Sequence, residues 1–335
     1  MKFAIVGAGA IGGYLGTRLG LAGEDVTFIA RRRNLEAIKA DGFRLVLEDG
    51  TQEHAKTVRA VERMAEAGPQ DVVLLTLKAH QLREVADELP ALYGPDTVVV
   101  SMVNGVPWWY FHALQGPHEG RAVTRVDPDG AIARAIPAER VIGSVVYPAA
   151  ELVAPGLVKL VEGNRFTVGE PGNERTPRVE RLSQALMKAG FKAPVSRDIR
   201  SELWIKLWGN LSFNPISALT HATLQDIGRF APTRELARRM MAEGQAVAEA
   251  LGVRFKITLE QRLAGAEAVG AHKTSMLQDV EAGRALELEA LVGAVIELGQ
   301  IAGVATPTIE AVYAATKLLE HSVLQARGRL AIQPG

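Results

Sequence analysis

A short apolar run, a glycine-rich turn and a helical pattern open the chain and constrain its fold more than any other feature. Lys2 to Val6 has the apolar, β-branched pattern of a buried parallel strand. Gly7-Ala8-Gly9-Ala10-Ile11-Gly12 follows at once, and Ile11 to Leu21 then reads as a helix. This order predicts a Rossmann-type unit with a dinucleotide pyrophosphate at the helix N-terminus, although simple turn glycines are the alternative.

The end of the second predicted strand, Val26 to Ala30, indicates which dinucleotide is bound. An NAD enzyme usually carries an acid here for the ribose 2′-hydroxyl, whereas this chain has Ala30 followed by Arg31-Arg32-Arg33. Arginine accommodates the 2′-phosphate of NADP through its planar fork. We single out Arg31 because it lies nearest the strand end. A solvated basic turn is the alternative.

Two later strands end in polar residues. Asp71 to Leu77 is followed by Lys78, and Thr97 to Val103 is followed by Asn104. Ligands bind outside the carboxyl ends of strands in open α/β sheets. Lys78 and Asn104 are therefore cofactor or substrate candidates, or else ordinary turn residues.

The segment from Val106 to Glu139 is the least regular part of the sequence. Trp108, Trp109, Tyr110 and Phe111 lie within it, and we expect a substrate wall or mobile lid, or equally a dimer contact or loop packing. Further along, Leu157–Val161 and Phe166–Gly169 read as a hairpin.

From Asp198 onward the pattern is helical almost throughout. Between Arg200 and Pro215 the apolar residues cover nearly the whole circumference of a helix, which is typical of a buried helix. Lys206, Asn210 and Asn214 recur at i, i+4 and i+8, so they lie along one side of it. They either face a ligand, or are a lysine at the rim of the core and two amides bonded to backbone.

Two polar residues of the helical half remain open to either interpretation. Ser275 and Glu287 could cap or orient, or could simply be surface residues. On the apolar helix described above, partial desolvation should lower the pKa of Lys206 and make its ammonium a better acid near neutrality.

Composition excludes several classes of protein. The 335 residues suffice for two domains, and 38 basic residues balance 38 acidic ones, so no net charge favours nucleic acid or anionic lipid. Without cysteine there is no disulfide, thiol nucleophile or thiolate metal site, and we expect no metal. No apolar run reaches the roughly 18 residues of a membrane span, and an apolar strand pattern starts at Lys2, so we expect neither a membrane span nor a cleavable leader. We expect a cytoplasmic protein.

The assembled motifs resemble those of the ketopantoate (2-dehydropantoate) 2-reductase family. The matching stretches occur in the family order over nearly the whole chain: Gly7 to Gly12, Arg31, Thr76-Leu77-Lys78-Ala79, Asn104-Gly105, Glu202 to Leu207, Asn210, Asn214-Pro215, Ser275 to Asp279 and Glu287. The resemblance implies a Rossmann domain, here residues 1–197, and an all-α domain, residues 198–335, similar to the C-terminal domain of 6-phosphogluconate dehydrogenase. It further implies NADPH as hydride donor, a cleft between the domains and pantothenate biosynthesis. A homodimer is compatible with the sequence.

The same resemblance implies individual roles. Lys206 would be the general acid, while Asn210, Asn214 and Ser275 would hold the substrate. Asn104 would touch both cofactor and substrate. Glu287 would bind near the nicotinamide ribose, and Ala149 would give a backbone contact to the cofactor.

Two departures from the family pattern lie near the expected substrate site. Val106-Pro107-Trp108-Trp109-Tyr110 replaces a short glycine-containing turn, and Thr223-Leu224 stands where the family often has a substrate-binding asparagine. A reductase of another 2-oxo acid, or a non-catalytic NADP-binding regulator, are the alternatives. The Lys206–Asn210–Asn214 row argues against the regulator.

Overall fold

The computed structural model describes residues 1–330, which form two compact units. The first comprises Met1–Val103, Pro107–Ala122 and Asp127–Glu202; the second comprises Asn104–Val106, Val123–Val126 and the chain from Leu203 onward. The division falls at Glu202, within a helix. The domain boundary predicted after residue 197 stays a prediction.

A seven-stranded sheet forms the centre of the first unit. Its strands are β1 (Lys2–Val6), β2 (Asp25–Ile29), β5 (Arg59–Val61), β6 (Gln70–Leu75), β7 (Tyr93–Ser101), β8 (Val141–Val146) and β11 (Phe166–Gly169), in the order β11-β8-β7-β6-β1-β2-β5. All neighbours are parallel except β11, which runs antiparallel to β8. The central strands are apolar on both faces because both faces are covered. This confirms the predicted Rossmann-type α/β architecture.

A second sheet of four strands also belongs to the first unit. It contains β3 (Phe43–Val46), β4 (Gln52–Ala55), β9 (Ala149–Ala154) and β10 (Leu157–Glu162), in the order β4-β3-β10-β9. The predicted hairpin of Leu157–Val161 with Phe166–Gly169 is wrong. β10 pairs with β9 and β3, whereas β11 pairs with β8 of the larger sheet. Alternation identifies a strand but not its partner, which tertiary packing selects.

Helices complete the first unit. They are α1 (Ala10–Leu21), α2 (Arg32–Asp41), α3 (Met64–Ala67), α4 (Leu82–Val85), α5 (Ala131–Ala135) and α6 (Pro177–Lys188). A core of fully buried side chains packs between α1 and both sheets, with Phe28 stacked on Phe43 at 5.0 Å between ring centroids. Helix α1 packs directly against the Phe28 ring because Gly16 has no side chain. A Cβ at Gly16 would lie 2.2 Å from that ring.

The second unit is helical, as predicted. Its helices are α7 (Ile199–Thr220, from Leu203 onward), α8 (Leu224–Arg229), α9 (Ala231–Ala250), α10 (Leu259–Ala268), α11 (Ser275–Ala282), a π-helical turn (Glu289–Gly293), α12 (Ala294–Ala302) and α13 (Pro307–Gln325). Trp204, Trp208 and Leu211 of α7 are fully buried, and the Trp208 indole donates a 2.6 Å hydrogen bond to the Met241 carbonyl on α9. Within residues 1–330, none of the helices is both long and apolar enough to cross a bilayer.

Candidate functional site

The glycine turn joins β1 to α1 in the backbone arrangement that the sequence predicts. A Cβ at Gly12 would lie 2.0 Å from the Gly7 carbonyl oxygen and 2.6 Å from the Thr76 hydroxyl. Only glycine therefore allows α1 to start so close to the strand ends. Thr76 lies just past β6, which pairs with β1 on the side opposite β2.

Hydrogen bonds inside the first unit engage three carbonyl groups of this turn, whereas its N–H groups after Gly7 have no protein acceptor within residues 1–330. The carbonyl of Gly7 accepts from the Thr76 hydroxyl at 2.7 Å, that of Ala8 from the Asn34 amide, and that of Gly9 from the Gly13 N–H at 2.8 Å. Over residues 1–330, the N–H groups from Ala8 to Gly12 donate to no protein acceptor. A helix N-terminus with unpaired donors suits an anionic ligand such as a pyrophosphate.

The arginine run lies where β2 ends and α2 begins. Arg31, Arg32 and Arg33 are all exposed, and none of them forms an ion pair with another residue in the described part of the chain. Arg32 has φ +53°, a left-handed conformation that is uncommon outside glycine. Three uncompensated guanidinium groups beside the strand end fit the phosphate expected from the sequence.

Lys206, Asn104 and Glu287 come together in the second unit. The Lys206 ammonium donates to the Asn104 side-chain oxygen at 2.7 Å, and the Asn104 amide donates to Glu287 Oε2 at 3.2 Å. Asn104 and Lys206 are only partly exposed, and Glu287 is 9% exposed. Three of the predicted site residues thus form one polar chain that was not predicted as such.

The π-helical turn fixes the backbone around Asn104. The Val106 N–H donates to the Ala290 carbonyl at 2.9 Å, and Gly105 has φ +88°. A Cβ at Gly105 would lie 2.4 Å from that carbonyl oxygen. Both this clash and the positive φ exclude a residue with a side chain at position 105. This π-helical turn (Glu289–Gly293) makes an N–H···O contact with the Asn104 segment, and such turns are frequent at functional sites.

Burial is the largest influence on the charge of Lys206. Desolvation lowers the pKa of its ammonium to about 8, while the negative charge of Glu287 opposes that effect. The sequence predicted this direction from the apolar surroundings on α7. A lysine with this pKa remains largely protonated at neutral pH and can still release its proton readily.

The two asparagines of the α7 row have polar groups available. Asn210 is half-buried and Asn214 is 5% exposed, yet within residues 1–330 neither side chain makes a hydrogen bond. This excludes the interpretation that they are core amides bonded to backbone. Buried amides nearly always find a partner, so these two are suited to binding a polar ligand.

The remaining predicted residues lie in different places. Ser275 is exposed and begins α11, but the cap is Thr274, whose hydroxyl accepts from the Leu277 N–H at 3.2 Å. Lys78 follows β6, and its backbone N–H donates to the Gln81 side chain at 3.1 Å. Ala149 begins β9 in the first unit. The roles of all three stay predictions.

The aromatic segment is neither an exposed lid nor an exposed interface. Trp108, Trp109, Tyr110 and Phe111 are at most 5% exposed. The buried Arg200 guanidinium donates to the carbonyl groups of Tyr110, at 2.7 Å, and His112. This burial confirms the loop-packing interpretation, because large aromatic rings gain more from burial than from facing water. A role of the segment as substrate wall or lid stays a prediction.

Comparisons with known proteins agree with this architecture. The family described as "Ketopantoate reductase PanE/ApbA" matches residues 3–173, and "Ketopantoate reductase PanE/ApbA C terminal" matches residues 198–320. A 2-dehydropantoate 2-reductase of Mesorhizobium japonicum is 56% identical over 320 residues, which cover 95% of this chain and 98% of that protein.

Two solved structures share the fold. A Ralstonia solanacearum protein is 40% identical, with a TM-score of 0.91 over 96% of this chain and 98% of its own. D-Mandelate dehydrogenase, solved with NADH and anilino(oxo)acetate, is 23% identical, with a TM-score of 0.82 over 96% of this chain and 99% of its own. At that identity the likeness shows the fold alone. From the two family matches and the Mesorhizobium relative, we conclude that this chain belongs to the ketopantoate reductase PanE/ApbA family.

Proposed function

We propose that the protein reduces 2-dehydropantoate to (R)-pantoate with NADPH, a step of pantothenate biosynthesis. Residues 1–197 would bind the cofactor, and residues 198–335 would bind the substrate and protonate it. The overall reaction consumes the 2-oxo acid, NADPH and one proton, and yields the 2-hydroxy acid and NADP⁺. The name of the Mesorhizobium relative supports this substrate.

The first unit contains groups that fit NADPH. The unpaired N–H groups from Ala8 to Gly12 would hold the pyrophosphate, and Arg31 would hold the 2′-phosphate. Lys78, Ala149 and, from the second unit, Asn104 and Glu287 are the further cofactor contacts that we propose. When bound, NADPH supplies the hydride that the 2-oxo carbon receives.

The protein's own chemical contribution is the proton that the carbonyl oxygen needs. Lys206 would hold that proton on an ammonium whose pKa of about 8 suits transfer near neutrality. Asn104 accepts a hydrogen bond from this ammonium and so fixes its direction. Glu287, bonded to the Asn104 amide, favours the protonated form of Lys206 and keeps it ready as an acid.

Asn210, Asn214 and Ser275 would anchor the substrate. The observation that carries this proposal is the row on α7. There a lysine of lowered pKa is followed by two amides whose side chains form no hydrogen bond within residues 1–330. Amide donors bind a carboxylate or hydroxyl well, and their spacing of one helical turn suits an extended small acid.

A substrate panel tests the proposal. Purified protein is incubated with NADPH and, in turn, with 2-dehydropantoate, pyruvate, 2-oxoisovalerate and phenylglyoxylate, and oxidation of the nicotinamide is followed. We expect the highest kcat/KM for 2-dehydropantoate. A higher value for another acid would retain the reaction type and contradict the substrate, whereas no oxidation with any acid would contradict the reductase.

A further inference from the structure

Asn34 connects the two parts of the first unit to which phosphate binding is assigned. It follows Arg31-Arg32-Arg33 directly, lies in the first turn of α2, and is partly buried while the arginines are exposed. Neither the sequence motif nor the resemblance singles it out.

Both ends of the Asn34 side chain are engaged. Its Nδ2 donates to the Ala8 carbonyl in the glycine turn, and its Oδ1 accepts from the Gly156 N–H at 2.7 Å. One partner needs a donor and the other needs an acceptor, so the amide can adopt only this orientation. A single side chain therefore ties α2 to the glycine turn and to the turn between β9 and β10.

The turn between β9 and β10 is itself held in place. Gly156 has φ +69°, its carbonyl accepts from the Arg44 N–H at 2.8 Å, and a Cβ there would lie 3.3 Å from the Ala37 side chain on α2. The four-stranded sheet thus supplies a fixed point against which Asn34 holds the start of α2.

We propose that Asn34 is a positioning residue for NADPH. Its side chain holds the glycine turn and the arginine run at the distance from each other that one bound cofactor requires. This inference rests on the proposed use of NADPH. The pyrophosphate and the 2′-phosphate belong to the same molecule, so its affinity depends on the distance between the two protein elements that receive them. A pre-arranged pair of elements binds more tightly because less ordering is required on binding.

The direct test compares Asn34→Ala with the wild type and with Asn164→Ala. Asn164 is also a partly buried asparagine of the first unit, and its side chain makes no hydrogen bond within residues 1–330. Kd values for NADPH and NADH are measured by nicotinamide fluorescence, together with the melting temperature. We expect the Kd for NADPH to rise on the order of tenfold in Asn34→Ala, the cost of about one hydrogen bond, and the preference for NADPH over NADH to shrink.

Several outcomes would overturn the proposal. Unchanged Kd values in Asn34→Ala, with only a lower melting temperature, would make Asn34 purely structural. An equal rise of the Kd for NADPH and for NADH in Asn34→Ala would show that Asn34 does not act through the arginine run. If the wild type itself binds neither dinucleotide, the proposed function fails, and that result is distinct from a failure of the Asn34 inference.

A second variant keeps the test valid if Asn34→Ala folds poorly. Asn34→Asp preserves the acceptor for the Gly156 N–H but places a carboxylate against the Ala8 carbonyl. We expect its Kd for NADPH to exceed that of the wild type by on the order of tenfold or more, because the glycine turn is displaced and a negative charge is added next to Arg31-Arg32-Arg33. A smaller rise in Kd relative to the wild type would contradict the role of the bond to Ala8.

Discussion

The pKa of Lys206 reflects a balance between burial and a nearby negative charge. Burial lowers its pKa to about 8, and Glu287 acts in the opposite direction. If the protonated amine is the acid, kcat should fall as pH rises through about 8, because the neutral amine has no proton to give. The measurement is kcat against pH at saturating NADPH and substrate. A profile that stays flat well above pH 8 would contradict it.

Glu287→Gln should shift the pH profile of kcat to lower pH. Removing the carboxylate charge removes the influence that raises the Lys206 pKa, so we expect kcat to fall at lower pH than in the wild type. Glu310→Gln, an equivalent change on α13, is the control and should leave the profile unchanged. An upward shift in Glu287→Gln would refute the assigned electrostatics.

Arg31 is expected to decide cofactor choice. Arg31→Asp should weaken NADPH binding and leave NADH binding little changed, because only the 2′-phosphate loses its partner and meets a carboxylate instead. The ratio of the two Kd values measures this. Equal affinity of the wild type for both cofactors would be incompatible with the prediction.

At the scale of elements, the aromatic segment behaves as part of the core of the first unit. The Trp109 ring packs directly on β8 beside Gly143. A Cβ on that glycine would lie only 2.7 Å from the ring. Trp109→Phe should therefore lower stability by roughly 0.5–3 kcal/mol and leave kcat and KM within a few-fold. Altered KM with unchanged melting temperature would restore a role in substrate binding.

The sequence predicted elements better than their pairing. The strand–glycine–helix order identified β1 and α1, and continuous apolar runs identified β6 and β7, because both signals are local. The placement of β10 and β11 in different sheets depends on contacts far apart in the chain. The apolar composition of Leu157–Val161 is compatible with either partner and could not select β9 and β3 over β11, so the hairpin prediction was wrong.

At the scale of the molecule, the candidate site joins residues that are remote in sequence. Asn104 lies 102 residues before Lys206 and 183 before Glu287, and its segment belongs to the helical unit although the surrounding chain belongs to the first. Spacing on α7 could predict Lys206, Asn210 and Asn214 as a row. The bonds to Asn104 and Glu287 could not be predicted, because no local pattern encodes a contact of that range.

The burial of Lys206 also has a cost for the whole fold. Its pKa in the folded protein is below the ordinary value of 10.5, so folding disfavours the charged form. This penalty is fully present below pH 8 and is relieved as pH rises from about 8 to 10.5, since the unfolded chain binds more protons in that window. At neutral pH it amounts to at most about 3 kcal/mol, because the side chain is partly exposed.

The most direct test of the account is kcat and melting temperature on the same sample of Lys206→Met. Methionine fits the space and removes the buried charge, so the variant should be as stable as the wild type or more stable. It should lose roughly 10²–10⁴ in kcat, the usual contribution of general acid catalysis, while its Kd for NADPH stays close to that of the wild type. If kcat instead holds within a few-fold and the melting temperature drops, Lys206 is a structural residue and the central assignment is wrong.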